Sequence, residues 1–295
     1  MSRAKALFFG MSTIDCIYRV DQPPGRNEKI VAEQQLICAG GPSTNAAIAF
    51  SGLGGQATLV SCLGVHPLSS VARNELRAHG VDHIDLCPEF SSVPTVSSIL
   101  VSKDTGDRSV VSVNSTHIQS QYLDLTTFSL SGFKTVLFDG QHMALAIKLA
   151  SACRQAGIHT ILDGGSWKPG TERLIRHIDT AICSSNFMPP GIPVSEKILA
   201  WLDAQGVSRA AITRGDRPIL AAESGSRFEV LPPRISPVRD TLAAGDIFHG
   251  AYVYYQSINP AGTFSGHLQK AAAVAARSCA HFGPRKWAGG MDLKK

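Results

Sequence analysis

The sequence predicts an α/β fold, with a mostly parallel central sheet flanked by helices and a small β-sheet lid. Short apolar runs alternate with segments of helical periodicity along most of the 295 residues. This alternation is typical of a parallel sheet that is covered by helices on both sides. Two stretches in the N-terminal half are β-like but are not followed by a helix. We therefore expect one domain over residues 1–295, with lid segments inserted at about 16–38 and 95–114.

The predicted core strands are short apolar runs of the kind that is buried on both faces of a parallel sheet. They cover residues 6–10, 57–62, 135–138, 159–162, 180–183 and 210–213. The predicted helices between them cover residues 44–53, 68–78, 144–155, 172–178 and 194–204. After a β-like segment at residues 227–231 and a proline-rich stretch, two more helices are predicted at residues 245–256 and 263–281.

The predicted lid consists of residues 17–38 and 96–113. In the second stretch, alternating residues flank the turn-forming string D-T-G-D at residues 104–107, which is a hairpin signal. We expect the two stretches to pair into a small sheet that closes over one edge of the core. Because exposed sheet edges and apolar faces tend to find partners, the lid also predicts a homodimer.

The composition is that of an ordinary globular protein, with 44% hydrophobic and 17% charged residues. The formal net charge of +5 is spread along the chain without a basic tract, which argues against a nucleic-acid partner. No apolar run approaches the roughly 18 residues that span a bilayer, so we expect no membrane association. The seven cysteines are widely spaced without a C-x-x-C pair, which favours reduced thiols in a cytoplasmic protein.

One group of possible metal ligands needs to be considered. His79, His83 and Cys87 are spaced four residues apart, and on one helix they would present three zinc ligands on a single face. Gly80 directly follows His79 and indicates that the helix ends there. We therefore expect a solvated connection from a helix to a strand, and no metal-ligand set.

Residues 239–251 form the most informative segment, R-D-T-L-A-A-G-D-I-F-H-G-A. Ala243, Ala244 and Gly245 are small and allow backbone to approach a ligand, and the amphipathic run after them makes their N–H groups the free donors of a helix N-terminus. Such a terminus attracts anions and would stabilise a moving phosphoryl group. Asp246 in the first turn could accept a proton from an attacking hydroxyl. Taken alone, the string is better explained without catalysis, by a carboxylate that merely complements the helix dipole.

A second motif lies much earlier, where residues 39–49 read A-G-G-P-S-T-N-A-A-I-A. The paired glycines permit close approach to a ligand, and Ser43 or Thr44 can cap the helix that follows. Asn45 would offer both a donor and an acceptor from the first turn. A plain glycine loop before a capped helix would have the same sequence features.

Together the two motifs resemble the signatures of the ribokinase/PfkB carbohydrate kinase family. The N-terminal signature, a glycine pair, then Asn and a small-residue helix ending in Leu-Gly, is matched by residues 40–41, Asn45 and residues 53–54. The C-terminal signature, D-T-x-G-A-G-D, is matched by residues 240–246, with Ala243 in place of the first glycine. The resemblance covers nearly the whole chain. It implies a Rossmann-like, ribokinase-like fold and an ATP-dependent sugar kinase that uses ATP and Mg²⁺, with a place for a monovalent cation such as K⁺.

The resemblance also implies roles for individual residues. Asp246 would be the general base, and the helix start formed by Ala243, Ala244 and Gly245 would be the anion hole. The residues expected to bind the small-molecule sugar substrate are Asp15, Gly41, Asn45 and Arg108. For Arg108, on the lid hairpin, a solvated surface charge remains an alternative.

On the nucleotide side, the resemblance implies contacts from Thr213 and Gly215 of a Thr-x-Gly segment, from Thr241 and from Asn186. Asn186 begins the counterpart of the family's N-x-x-E segment, whose Glu helps to organise magnesium, but Pro189 stands at that Glu position. Either magnesium is held mainly by ATP phosphates and water, or the chain has lost activity. We favour the first, since some family members that lack this Glu are active.

Three further polar residues, Lys29, Asp163 and Lys168, lie where a cleft could use them, although an exposed or capping position is the simpler expectation for each.

A dinucleotide-binding oxidoreductase is disfavoured because the Gly-x-Gly at residues 52–55 follows a helix rather than a strand. A P-loop kinase is disfavoured because no G-x-x-x-x-G-K-[ST] string occurs. The remaining alternatives are a nucleoside kinase of the same family and a sugar-binding relative that has lost catalysis.

Overall fold

The computed structural model describes residues 3–114, 118 and 128–288. The strands in these residues are β1 (Lys5–Phe9), β2 (Thr13–Val20), β3 (Gln34–Gly40), β4 (Gln56–Ser61), β5 (Val81–Asp85), β6 (Val96–Ser102), β7 (Arg108–Ser112), β8 (Thr135–Phe138), β9 (His159–Gly164), β10 (Thr180–Ser184), β11 (Arg209–Arg214), β12 (Arg217–Glu223) and β13 (Ser226–Val230). The α-helices are α1 (Pro42–Gly52), α2 (Ser69–Ala78), α3 (Met143–Gln155), α4 (Thr171–Ile175), α5 (Ser195–Ala204), α6 (Ala244–Ile258) and α7 (Phe264–Ser278). A short 3-10 helix follows at Lys286–Ala288.

The large sheet has nine strands in the order β13-β12-β11-β10-β9-β8-β1-β4-β5. The strands from β11 to β5 are parallel, and β12 and β13 extend the sheet as antiparallel strands. Because parallel strands are covered on both faces, they consist of nearly continuous apolar residues. In β1, Leu7, Phe8 and Phe9 are all fully buried. This arrangement confirms the predicted α/β class.

Helices cover both faces of this sheet. Phe8 points to the face where Phe50 of α1 and Tyr252 of α6 pack, and its neighbour Phe9 points to the opposite face, which is covered by α3, α4 and α5. The alternation follows from the two-residue period of a strand. From β1 the chain moves outward to β4 and β5, and later from β8 outward to β11. The adjacent strands β1 and β8 therefore mark the topological switch point, beyond whose carboxyl ends open α/β sheets bind ligands.

The small sheet has the order β3-β2-β6-β7. The two segments that interrupt the strand–helix alternation pair with each other, because β2 runs parallel to β6. On one face, Ile17, Cys38, Ile99 and Val101 form an apolar cluster with Phe282, from the segment after α7. This cluster fixes the small sheet against the C-terminal part of the chain.

The structure corrects several sequence-based element assignments. Residues 81–85, expected in a solvated connection, form β5, which pairs with β4 as the edge strand. Residues 217–223, for which no strand was predicted, form β12 and make a hairpin with β13. The helix predicted to reach residue 178 ends at Ile175, and the last helix ends at Ser278 rather than at 281. Most other predicted elements have boundaries within two residues of those observed.

Two global features of the described residues bear on the earlier expectations. None of the described helices is both long and apolar enough to cross a membrane. No disulfide joins the seven cysteines, all of which lie within the described part of the chain.

Candidate active site

The N-terminus of α6 lies at the base of the site. Ala243, directly before the helix, has left-handed backbone angles, with φ 58° and ψ 8°. The preceding turn is held by Asp240, whose Oδ1 accepts from Leu242 N at 2.8 Å. The first N–H groups of a helix have no acceptor within it, and here Ala244 N donates to Thr241 O, in the turn before the helix, at 3.3 Å. A Cβ placed on Gly245 would meet no heavy atom within 4 Å, so a ligand can approach the backbone here.

Asp246 follows in the first turn of α6 and keeps part of its surface open to solvent. Its Oδ2 accepts a hydrogen bond from Asn45 Nδ2 at 2.8 Å. Desolvation, and next the nearby Asp163 carboxylate, raises the pKa of Asp246 to about 7, against the opposing effects of Asn45, His249 and Arg108. The two motifs found in the sequence therefore meet through the side chains of Asn45 and Asp246.

The expectation that Asp163 is exposed or capping is wrong, because this residue is buried to 6% exposure beneath the start of α6. Its Oδ2 lies 3.5 Å from His249 Nδ1. His249 also contacts Gly245 O through Nδ1 at 2.7 Å and Ile182 O through Nε2 at 3.0 Å. Burial raises the pKa of Asp163. This buried pair connects the first turn of α6 to strands β9 and β10.

Asp15 lies on β2 and is 5% exposed. Thr13 Oγ1 donates to Asp15 Oδ1 at 2.6 Å. Burial raises the pKa of Asp15, while the hydrogen bonds from Thr13 and Ser97 and the charge of Arg285 lower it. A Cβ on Gly40 would overlap the Asp15 carboxylate at 2.0 Å, so the glycine is required for this packing.

Gly41 provides the turn from β3 into α1. Its φ is 95°, and a Cβ at this position would lie 2.4 Å from Met11 O. Only glycine combines this φ with such a close approach. The turn places Asn45 in the first turn of α1 and brings it close to α6.

Arg108 and Thr241, expected to bind sugar and nucleotide respectively, contact each other. Arg108 Nη1 donates to both Thr241 O and Thr241 Oγ1 at 3.2 Å. The backbone N–H of Thr241 and its Oγ1 each donate to Gly106 O at 3.0 Å. These contacts attach the hairpin of the small sheet to the turn that precedes α6.

The other nucleotide-side residues lie at the carboxyl ends of β10 and β11, where Ser184 pairs with Thr213. Thr213 Oγ1 donates to Cys183 O at 3.3 Å. Asn186 and Gly215 are exposed, and a Cβ on Gly215 would meet nothing within 4 Å. Among the described residues, none of these side chains hydrogen bonds to Asp246. They border open space at the same edge of the sheet.

Sequence reasoning missed Asp139, which lies at the topological switch point. Its Oδ2 accepts from Met11 N at 2.8 Å and from Ser43 N at 3.2 Å, and its Oδ1 accepts from Gln141 N at 3.0 Å. Lys168, partly buried, donates from Nζ to Asp139 O at 3.2 Å. An acidic residue directly after the apolar run of β8 was the signal that could have identified it.

Arg285 was also missed. It donates to Asn45 Oδ1 at 2.8 Å and pairs with Glu75, Nε to Oε1, at 2.6 Å. Its sequence context, Gly-Pro-Arg-Lys-Trp in a segment without periodicity, gives no signal for such contacts. Lys29, in contrast, is exposed, as expected.

Comparison with known proteins gives this arrangement a family. The family model described as "pfkB family carbohydrate kinase" matches residues 3–287. The chain belongs to the PfkB family. Ribokinase of Haemophilus influenzae is 20% identical over 235 residues, which are 77% of this chain and 76% of the relative.

Solved structures confirm the ribokinase fold of this PfkB protein. Ribokinase from Thermotoga maritima has a TM-score of 0.78 at 20% identity and covers 97% of this chain and 96% of its own. Ribokinase from Arabidopsis thaliana, solved with ribose and ATP, has a TM-score of 0.77 at 20% identity and covers 96% of this chain and 94% of its own. The family match supports a kinase of the PfkB type, and these likenesses show its fold.

Proposed function

We propose that this PfkB protein transfers the γ-phosphoryl group of ATP to a hydroxyl of a small sugar. The observation that carries the proposal is the Asp246 carboxylate, which is held by Asn45 at 2.8 Å in the first turn of α6, next to the open backbone at Gly245. A proton acceptor thus lies next to the N–H donors of a helix N-terminus. Phosphoryl transfer needs both, one for the attacking hydroxyl and one for the charge on the moving group.

In this proposal Asp246 takes the proton from the sugar hydroxyl as that hydroxyl attacks. The N–H groups of the helix start, from Ala243 to Gly245, stabilise the transferring phosphoryl group. A base with a pKa of about 7 suits this task, since a catalytic pKa near the working pH gives the best combination of ionisation and basicity.

The sugar would occupy the space between the small sheet and the start of α1, where Asp15, Gly41 and Asn45 lie. Arg108, held at Thr241 by 3.2 Å contacts, would approach the same space from the hairpin. The nucleotide would lie along the carboxyl ends of β10 and β11, near Thr213 and Gly215. The ribokinase from Arabidopsis thaliana, which shares this fold, was solved with ribose and ATP, which supports a site that takes both a sugar and a nucleotide.

Magnesium would reach this site together with ATP. The described residues contain no group of three or more His, Cys, Asp or Glu that could hold a metal ion, and Pro189 offers no carboxylate. Asn186, exposed at the end of β10, offers a neutral oxygen. These donors fit Mg²⁺, which keeps several waters and binds largely through substrate phosphates. When bound, it neutralises charge on the phosphates.

Asp246→Asn is the variant that tests the mechanism. It preserves the shape of the side chain but cannot accept the proton, so we expect kcat to fall by a factor on the order of 10²–10⁴ while ATP and sugar still bind. If Asp246 only complements the helix dipole, the variant should lose up to about 1 kcal/mol of stability and keep its rate. Measuring kcat and melting temperature separates the two accounts, and near-normal turnover would overturn the mechanism.

The substrate class is tested with a panel of aldoses, ketoses and nucleosides under ATP and Mg²⁺, with and without K⁺. We expect turnover with a pentose or hexose. Preferential turnover of a nucleoside would assign the chain to the nucleoside kinases of the family. Tight sugar binding without any turnover would indicate a binding protein that has lost the reaction.

A further inference from the structure

Arg285 lies in the segment after α7, and its side chain is only 14% exposed. Its guanidinium group contacts three other parts of the chain. Nε donates to Glu75 Oε1 on α2 at 2.6 Å, Nη2 donates to Ala39 O at the end of β3 at 2.6 Å, and Nη1 donates to Asn45 Oδ1 on α1 at 2.8 Å. The planar fork of arginine can reach three acceptors in fixed directions, which the ammonium group of a lysine cannot do.

Glu75 balances the charge of Arg285 and extends the network. Its Oε2 accepts from Ala39 N at 2.6 Å, while Ala39 O accepts from Arg285. Both backbone polar groups of Ala39 are therefore bonded to one ion pair, directly before the Gly40–Gly41 turn. Because the guanidinium is paired with Glu75 and each of its three nitrogens donates to a protein acceptor, we assign it no direct contact with the substrate.

The contact with Arg285 fixes the orientation of the Asn45 amide. The guanidinium can only donate, so the atom of Asn45 that faces it must be the carbonyl oxygen. The amide nitrogen then faces Asp246 and donates to Oδ2 at 2.8 Å. In the described residues Asn45 is the side chain that hydrogen bonds to this carboxylate, which leaves Oδ1 for the sugar hydroxyl.

The segment that carries Arg285 also contacts the small sheet and the turn before α6. Phe282 belongs to the apolar cluster with Ile17 and Ile99. Gly283 N donates to Asp240 Oδ2 at 2.9 Å. Residues 282–285 therefore hold the small sheet, the start of α6 and the start of α1 in one arrangement.

We propose that Arg285 is a positioning residue for phosphoryl transfer, which fixes the Asn45 amide so that Asn45 donates to the base Asp246. The inference rests on the proposed function, in which Asp246 accepts the proton. Arg285 itself does not touch the reacting atoms, and it acts through Asn45. Glu75 is its partner, and holds the guanidinium in place.

Several charged and titratable groups around Asp246 influence its pKa, and a test must distinguish the effect of Arg285 from theirs. Asp163 raises its pKa, and His249, Arg108 and the Asn45 hydrogen bond lower it. If the Asn45 amide is released from Arg285, the donated hydrogen bond weakens and the pKa of Asp246 rises further. The pH below which activity is lost should then move upward, since the base must be ionised to act.

The first experiment compares Arg285→Met with Arg209→Met. Arg209 forms a similar ion pair, Nε to Glu223 Oε1 at 2.7 Å, at the opposite end of the sheet. We expect Arg285→Met to lower kcat by about 10–100-fold, the size of effect that misplacement of a reacting group produces, with KM for ATP unchanged. Arg209→Met should keep kcat. Equal losses in the two variants would show that only stability had changed, and would overturn the proposal.

A double-mutant cycle tests whether Arg285 acts through Asn45. Once Asn45→Ala is present, adding Arg285→Met should reduce kcat by less than about threefold, because the group that it positions is already absent. Multiplicative losses would overturn the proposal. Arg285→Lys keeps the charge without the fork and should fall between wild type and Arg285→Met. If Arg285→Met does not fold, Arg285→Lys or Glu75→Gln takes its place in the cycle, each combined with Asn45→Ala in the same way.

A measurement without turnover separates this inference from the proposed function. The titration of Asp246 can be followed by NMR of carboxyl-¹³C aspartate in the ligand-free protein, with the signal assigned through its loss in Asp246→Asn. We expect the midpoint to rise in Arg285→Met and to stay at the wild-type value in Arg209→Met. An unmoved midpoint would overturn the positioning role. If the midpoint rises in Arg285→Met but Asp246→Asn turns over normally, the influence of Arg285 on Asp246 through Asn45 is supported, and Asp246 is refuted as the base.

Discussion

As the proposed base, Asp246 needs two properties that conflict in water: its carboxylate must be ionised, and it must also be basic enough to accept a proton from a hydroxyl. Desolvation and the neighbouring Asp163 carboxylate raise its pKa to about 7, while the hydrogen bond from Asn45 favours the charged form. These influences come from different elements, because Asp163 lies near the end of β9 and Asn45 lies in the first turn of α1. The basicity of the site is therefore set by the fold rather than by the motif alone.

The pH dependence of kcat/KM follows from this environment. If Asp246 is the base, activity requires its ionised carboxylate, so activity should be present above a pH of about 7 and fall tenfold per unit as the pH drops below that value. Asp163→Asn removes the charge that raises the pKa, and should move the fall to lower pH. ATP binding measured across the same range is the control. A flat profile between pH 5.5 and 8, with constant ATP binding, would contradict Asp246 as the titrating base.

At the residue scale, the sequence revealed the candidates that lie in contiguous motifs. The family-like strings around Asn45 and Asp246 are local, and the structure brings these two side chains into contact. Arg285 and Glu75 are 210 residues apart, and an ion pair over such a separation leaves no local pattern. Asp163 was misjudged for the same reason, since its burial depends on α6 packing over β9.

The N-terminus of α6 begins directly after a residue with a left-handed backbone. Ala243 takes φ 58°, a left-handed conformation that costs an L-residue roughly 1–2 kcal/mol relative to glycine. Its methyl group is buried, at 6% exposure, within the core that α6 shares with α1 and α7. The methyl group therefore packs away from the space where a phosphate would bind.

This packing gives a prediction for the departure from the family signature. Ala243→Gly relieves the backbone strain but loses a buried methyl worth about 0.8 kcal/mol and makes the unfolded chain more flexible. We expect its stability to stay within about 1 kcal/mol of wild type and kcat to change by less than about threefold. A tenfold gain in kcat would show instead that the methyl group crowds the phosphoryl group.

Ala243→Val is the matched control for the same position. A β-branched side chain at positive φ is a genuine outlier, and the core has no space reserved for two more carbon atoms. We expect a loss of about 2 kcal/mol or more, measured by denaturant unfolding. If Ala243→Val is as stable as wild type, the left-handed conformation is wrong.

Among the strands of the large sheet, those buried on both faces were easier to predict than those at or near an edge, where only some residues are buried. β1 and β8 are apolar after their first residues, Lys5 and Thr135, and their predicted bounds lie within one residue of those observed. β5 alternates buried and exposed positions over V-D-H-I-D, since it is an edge strand, and its charged residues resemble a loop. β12 begins with Arg217-Pro218, which argues against a strand unless it lies near an edge.

At the scale of the whole molecule, the small sheet presents one face to the body and the other to solvent. Ile17, Ile99 and Val101 face the body and are buried. On the opposite face, the register aligns Ile37, Cys16, Ser98 and Val111 across the four strands. Ile37 is 50% exposed and Val111 is 76% exposed. Exposed apolar residues such as Ile37 and Val111 on an open sheet face are a feature of protein interfaces.

We propose that this outer face joins two copies of the chain into a dimer, which would also link the closure of the two lids. The wild-type protein should have twice the monomer mass of 31.4 kDa in light scattering at micromolar concentration. Val111→Asp should shift it to monomer, because a charge would be buried without a partner. Leu231→Asp places the same charge on another exposed apolar residue, 67% exposed, and should leave the dimer intact. If the wild-type protein is monomeric at all concentrations, the dimer proposal is wrong and the kinase proposal is unaffected. If Val111→Asp remains a dimer, the interface does not include this face of the small sheet.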